Sequence, residues 1–401
     1  MAAIKPPENI RKVLRCLADS GHAAYLVGGC VRDSVMGRPV HDWDIASSAT
    51  PGEVEGIFKK TVLTGEKYGT VTVIMPECTV EVTTFRTESG YRDGRRPSVV
   101  EFVTSLDEDL SRRDFTMNAI AVSISGDMID PYGGLDDIMA RVIRCVGTPD
   151  DRFKEDALRM LRAYRFSAEL RFMIEPGTKS SIIRNAEKTN LISAERVRVE
   201  LEKTLLSPSP EIAGEMIKAG LVKRYLSTAG KQPGGINKLS ELPLEAALRW
   251  CAFCAILSEN GMIENPGDFL SKMRLDSNTI KICKTALAIT GLQDGSEAFD
   301  KVGIKKLIAR HGAAGVRCAA AVCDALYSGS ALKSTEEVLR SGECFSTDTL
   351  AVTGNDLISL GCPPGRGIGK ILAALLSHVI EYPEDNTREA LLDIIEVTDN
   401  K

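Results

Sequence analysis

The chain has 401 residues, a formal net charge of −5, 43% hydrophobic and 26% charged residues, a composition ordinary for a globular protein of two to four structural units. That charge excludes a bulk nucleic-acid-binding module, although a local basic stripe is enough for a large enzyme. No apolar run approaches the ~20 residues of a membrane helix, residues 1–10 lack the apolar core of a secretory signal, and eleven cysteines without regular spacing argue for a reducing compartment, so a cytoplasmic protein with no membrane partner is expected.

The first part of the chain reads as mixed α/β. Short β-rich runs at residues 24–27, 71–74, 80–85, 99–103 and 119–124 alternate with turn signals and helical stretches. After Gly147-Thr148-Pro149 long helix-period segments take over, so residues 150–401 are expected to be helical. The fold class is therefore α+β, a mixed sheet with helices followed by an all-α remainder. Breaks at 207–210, 230–235 and 292–296 mark sub-boundaries.

The strongest local signal is LVGGCVRDSVMGRPVHDWDI at 26–45. An apolar strand ends in Gly28-Gly29, which opens a helix whose unpaired N–H groups suit an anion, with Arg32 in its first turn. In a strand, Asp42 and Asp44 would project from one face while Trp43 and Ile45 take the other. Two carboxylates so placed repel unless a cation lies between them, and carboxylates with substrate phosphates are the usual ligands of Mg2+. Glu81 shares a strand face with Thr83 and is either a third acid of that site or a solvent-facing residue. His41-Asp42 spells the dipeptide of metal phosphohydrolases, but a chain with four histidines cannot supply their further ligands.

Farther along, Asp156, Arg159, Arg162 and Arg165 stand three apart, a ridge along one side of a helix whose opposite arc (Ala157, Met160, Leu161, Tyr164) is core. Such a ridge is either a rail for a triphosphate or RNA backbone or a salt-bridged surface helix with Glu155–Arg159 and Arg165–Glu169 pairs. Residues 151–206 carry 12 Lys+Arg against 9 Asp+Glu. Cys251 and Cys254 have metal-like spacing, yet they sit in an apolar helical run and are read as core. Lys301, Lys305, Lys306, Arg310 and Arg317 form a basic stretch that could hold RNA, and the glycine-rich run 361–370, which follows no strand, is either a phosphate-gripping helix entry or a plain loop.

The run from Gly28 to Asp44 resembles the signature of the polymerase-beta-like nucleotidyltransferases, specifically class II tRNA nucleotidyltransferases and their poly(A) polymerase relatives. Four further motifs follow in family order: LSRRDFTMNA at 110–119, DPYGG at 130–134, EDALRMLRAYRF at 155–166 and SAERV at 193–197. The resemblance implies a catalytic head at 1–146, a helical neck for base recognition at 147–207, a helical body at 208–298 and a tRNA-binding tail at 299–401. It makes Asp42 and Asp44 the metal ligands, with Mg2+ the metal. Gly28, Gly29, Arg32 and Arg113 become nucleotide contacts. Asp156 and Arg159 become a protein template that accepts C and A, since both bases offer an exocyclic amine, and Arg162 and Arg165 bind phosphate or RNA. The implied partners are CTP, ATP and the 3′ end of tRNA, recognised by shape and backbone.

The implied reaction is template-independent addition of C, C and A to tRNA. A-only addition and poly(A) polymerase are the alternatives. A CC-only enzyme is disfavoured by a full polar loop at 87–97, and a non-catalytic RNA-binding descendant by the retained carboxylates. The acidic end of the chain, 385–400, favours tRNA over poly(A) synthesis.

Overall fold

The computed structural model describes residues 4–76, 78–89, 99–228, 230–291 and 299–399. The chain forms two compact units, the first reaching Arg224 and the second comprising Tyr225–Thr228 and the residues from Gln232 onward.

In the first unit, helix α1 (Glu8–Asp19) buries Ile10, Val13, Leu14 and Leu17, a spacing that puts all four on one stripe. Next come β1 (Ala24–Val27), α2 (Gly29–Val35), β2 (Asp44–Ser47) and α3 (Pro51–Ile57), the last opened by a Thr50/Glu53 capping box. β3 (Thr61–Gly65), β4 (Thr70–Ile74) and β5 (Thr79–Thr84) form an antiparallel meander whose Val71, Val73, Val80 and Val82 alternate inward and are fully buried. β6 (Arg86–Ser89) pairs antiparallel with β7 (Val99–Phe102), and α4 (Leu106–Ser111) follows. With β8 (Ala121–Val122) and β9 (Met128–Ile129) the main sheet reads β3-β4-β5-β2-β1-β8-β9. β5 and β2 run parallel with Asp44 opposite Glu81, so these two carboxylates share a face.

The DPYGG motif proves to be a turn. Asp130 accepts hydrogen bonds from the N–H groups of Gly134 (2.7 Å) and Leu135 (2.8 Å), which open α5 (Gly134–Ala140). A Cβ at Gly134 would sit 2.2 Å from the Thr116 carbonyl oxygen, so no other residue fits there. β10 (Val142–Ile143) then leads to α6 (Pro149–Glu155), α7 (Leu158–Leu170), β11 (Met173–Ile174), α8 (Pro176–Asn185), α9 (Ala194–Leu205) and α10 (Ile212–Lys218). One expectation is corrected here: the remainder is not purely helical, because β11 pairs in parallel with β10. The core arc is as expected, with Ala157, Met160, Leu161 and Tyr164 at most 2% exposed.

The second unit is built from α11 (Ala246–Glu259), α12 (Pro266–Lys272), α13 (Ser277–Gly291), α14 (Lys301–His311), α15 (Ala313–Tyr327), α16 (Ala331–Arg340), α17 (Gly354–Ser359), α18 (Arg366–Glu381) and α19 (Arg388–Asp399). Cys251 and Cys254 are fully buried in α11, and the Cys251 thiol contacts that of Cys283 on α13 at 2.7 Å, in keeping with a core role. The expected break at 292–296 lies outside the described residues. No helix of the described residues is long and apolar enough to cross a membrane.

Four of the five cations of the basic stretch have carboxylate partners within this unit. Lys301 and Lys305 both pair with Glu343, Lys306 pairs with Glu381 at 2.6 Å, and Arg317 bridges Glu245 and Glu336. Lys305 is 1% exposed, and a lysine so deeply buried needs its carboxylate partner.

Candidate active site

β1 runs into Gly28, whose φ of 76° and ψ of −135° carry the chain into α2. A side chain there would be strained by that backbone, and its Cβ would lie 3.1 Å from Arg113 Nη1 and 3.9 Å from Asp44 Oδ2. The turn thus brings glycine backbone, an arginine and an acid to one place. They line a cavity of about 640 Å3 whose wall includes Gly28, Gly29, Arg32, Asp42, Asp44, Arg113, Arg159, Arg162 and Arg165. Nine of the eleven expected site residues therefore meet there, and Glu81 and Asp156 do not.

Asp42 and Asp44 arrive differently from expectation. β2 begins only at Asp44, so Asp42 lies in irregular, exposed chain and its agreement in direction with Asp44 is not a strand alternation. Asp44 is half-buried. Burial pushes its carboxyl pKa up, Glu81 and Asp42 push it the same way, and Arg113 opposes them. Among the described residues no three His, Cys, Asp or Glu side chains gather as a metal-holding group, and Glu81, although beside Asp44, does not line the cavity. An open acidic pair with a crowded carboxylate fits a divalent cation that takes its remaining ligands from substrate phosphates.

The arginine wall is ordered by ion pairs. Arg32, 7% exposed, grips Asp33 through Nε (3.0 Å) and Nη2 (2.9 Å) and donates from Nη1 to Asn118 Oδ1 (2.8 Å). Asn118 in turn donates to Asp114 Oδ1 (3.0 Å), and Arg162 donates to Asp114 Oδ2 from Nε (2.8 Å). Burial alone would push Asp114 up. The charge of Arg162, the hydrogen bonds from Asn118 and Arg162 and the charge of Arg159 outweigh it and hold the carboxyl well below its ordinary range. Arg113 donates to Asp109 Oδ2 at 3.1 Å, and its buried Nε has no partner among the described residues.

Phe166 sits under this array. The guanidinium carbons of Arg165, Arg32 and Arg162 lie 4.0, 5.1 and 5.2 Å from its ring centroid, and Phe115 meets the ring edge-to-face at 5.8 Å. Neither Asp114, Asn118 nor Phe166 was singled out from the sequence, although all three fall within the quoted motifs.

The expected four-residue ridge is corrected at its first member. α6 ends at Glu155, Asp156 is extended (φ −139°, ψ 106°), and α7 starts at Leu158. The Asp156 carboxylate accepts from the Leu158 N–H (3.0 Å), which stabilises this break, and from both terminal nitrogens of Arg196 on α9 (2.9 and 3.4 Å). The arginines behave in part as the salt-bridged alternative required: Arg159 pairs with Glu155 (2.6 Å), and Arg165 with Glu169 (2.8 Å) and Glu200 (2.6 Å). The loop expected at 87–97 begins inside β6, and residues 90–98 lie outside the described ones.

Family models divide the chain along the same lines. Residues 24–144 match the Poly A polymerase head domain, 171–227 a probable RNA and SrmB-binding site of polymerase A, and 245–395 the tRNA nucleotidyltransferase domain 2. Together with the glycine turn, the acidic pair and the arginine-walled cavity, these matches define a nucleotidyltransferase. The chain is 37% identical over 397 residues to the CCA-adding enzyme of Limosilactobacillus fermentum, covering 96% of this chain and 95% of that one, and 42% identical over 297 residues to that of Bacillus velezensis, covering 73% and 74%. The crystal structure of the Bacillus stearothermophilus CCA-adding enzyme in complex with CTP superposes with a TM-score of 0.80 at 33% identity, covering 99% of this chain and all of the other. The chain belongs to the family of CCA-adding enzymes, which use a divalent metal.

Proposed function

We propose that this chain adds C, C and A to the 3′ end of tRNA from CTP and ATP, without a nucleic-acid template and with release of pyrophosphate. The observation that carries this reading is the meeting of the Asp42–Asp44 pair with the arginine wall in one cavity, in a chain that aligns nearly end to end with CCA-adding enzymes. Asp42 and Asp44 would hold Mg2+, with Glu81 tuning Asp44 through charge from the neighbouring strand. When bound, the metal supplies activation of the tRNA 3′-hydroxyl and neutralisation of charge on the departing pyrophosphate. The chain's own groups do the rest. Gly28 and Gly29 admit the nucleotide close to backbone, and Arg32 and Arg113 face its phosphates across the cavity.

Asp156 and Arg159 would read the base. Three of the roughly four acceptor positions of the Asp156 carboxylate are taken by Arg196 and the Leu158 N–H. The one that remains suits a single exocyclic amine, which C and A possess and U and G lack at that place. Arg162 and Arg165 would complete the cationic wall. In this reading head, neck, body and tail occupy 1–146, 147–207, 208–298 and 299–401, and the enzyme works in the cytoplasm, where its substrate lies.

Labelled CTP and ATP supplied with tRNA lacking its 3′ end, and separately with an oligo(A) primer, test the proposal. Incorporation of both nucleotides into tRNA and neither into oligo(A) is expected. ATP addition confined to tRNA already ending in CC would establish the A-only alternative, and extension of oligo(A) the poly(A) polymerase one. Deleting residues 89–94 should spare CC addition and impair the final A.

A further inference from the structure

Six arginines line the cavity: Arg32, Arg112, Arg113, Arg159, Arg162 and Arg165. Each holds a carboxylate oxygen within 3.1 Å, so the charge of every guanidinium is already met inside the protein. A phosphate entering such a wall finds donors but little net positive charge. The cavity has one further cation, Lys203, contributed by α9. Its side chain is exposed, and among the described residues no carboxylate pairs with it.

The placement of Lys203 follows from helix geometry. Arg196, Glu200 and Lys203 are spaced four and three residues apart and so share one face of α9. The first engages Asp156 at the entry to α7, and the second engages Arg165 within α7. Those two ion pairs fix the rotation of α9 against α7, and the same rotation turns Lys203 toward the cavity. An ammonium is a compact point charge that suits phosphate oxygen without the bidentate geometry of arginine.

We propose that Lys203 is a phosphate-binding residue of this cavity, supplying the positive charge that the paired arginines lack. The proposal rests on the nucleotidyl-transfer reading, which offers two sources of that phosphate: the triphosphate of the incoming nucleotide and a phosphodiester near the 3′ end of the RNA. Steady-state kinetics of the full chain and its Lys203→Ala and Lys203→Arg variants, with CTP, ATP and truncated tRNA each varied at several salt concentrations, separate them. Lys203→Ala should raise KM about five- to tenfold for one substrate class, with kcat within about twofold, and Lys203→Arg should restore it.

If the phosphate belongs to RNA, KM for tRNA rises and the slope of log(1/KM) against log salt shrinks by about 0.7–0.9, the share of one contact. If it belongs to the nucleotide, KM for CTP and ATP rise together, and the inhibition constant of inorganic tripolyphosphate rises by the same factor. Unchanged KM for every substrate overturns the proposal, as does a loss of activity that merely follows a lower melting temperature and is not rescued by arginine. Wild-type protein that incorporates neither nucleotide would instead remove the functional reading, and direct binding of tripolyphosphate and of tRNA to wild type and Lys203→Ala then decides the Lys203 question by itself.

Discussion

Asp114 is held by groups that arrive from two elements. Asn118 reaches one oxygen from four residues downstream, and Arg162 reaches the other from 48 residues away. Because its folded pKa is depressed, the carboxylate stabilises the fold at any pH above its unfolded value, ~4, and that contribution fades only as pH falls below it. We expect Asp114→Asn to cost about 1–3 kcal/mol at neutral pH, since a buried carboxylate is lost and the partly exposed Arg162 guanidinium loses its counter-charge. Melting curves should show a difference from wild type that stays constant between pH 8 and 5 and narrows only near and below pH ~4. A difference that already shrank between pH 7 and 5 would place the stabilising ionisation elsewhere. The Asp42–Asp44 pair should behave in the opposite sense. Asp42→Ala and Asp44→Ala should abolish incorporation yet leave the melting temperature at or above that of wild type, because burial and neighbouring carboxylates push Asp44 up and removing either charge relieves repulsion. Near-normal incorporation by either variant would end the metal-binding assignment. The aspartate pair was visible in sequence because the two acids stand two residues apart, a short way after the glycine turn. Asp114 was not, since its partners are set by how α7 meets the sheet-bearing part of the chain, and no local spacing encodes that.

At the scale of elements, α9 aims the groups on and beside α7. Its helical period was readable, and so was the core arc of α7. What periodicity could not show was the break at Asp156: the three-residue spacing of the charged side chains runs through it, and only the capping tendency of aspartate pointed to it. The side chain makes the break itself, by accepting the Leu158 N–H in place of a helical bond. That leaves Asp156 aimed by Arg196 and not by a helical ridge. We therefore expect Arg196→Ala to reproduce the selectivity defect of Asp156→Ala: a rise in UTP and GTP misincorporation relative to CTP and ATP, corresponding to about 1–3 kcal/mol of lost discrimination. Arg165→Ala, which removes a partner of Glu200 and Glu169, should lower all nucleotides together. Kinetics with the four nucleotides on tRNA ending before its final C and before its final A would show this. A uniform drop in Arg196→Ala with ratios unchanged would make the Asp156–Arg196 pair a structural bridge only.

At the scale of the whole molecule, every residue that lines the cavity lies at or before Lys203, within the unit that ends at Arg224. The change of character after Gly147-Thr148-Pro149 was visible in the sequence, but it marks a change in secondary structure and not the limit of a compact unit. The helices from α6 to α10 pack within the same unit as the sheet, and hydrophobic patterning does not say which helices share a core. The second unit has its own, in which Val352, Leu357, Val379 and Leu391 are fully buried. Two cores in two units imply that the first can fold without the second. A fragment of residues 1–231 should therefore give a cooperative melting transition and bind CTP within about threefold of the full chain, a difference of less than ~1 kcal/mol. Its KM for tRNA should rise at least about tenfold, because a substrate as large as tRNA draws affinity from contacts over a wide surface. Calorimetric titration with CTP and incorporation assays across tRNA concentrations would measure both. If the fragment folds but fails to bind CTP, the second unit must contribute to the nucleotide site. If it binds tRNA as tightly as the full chain, the helical remainder serves something other than holding the substrate.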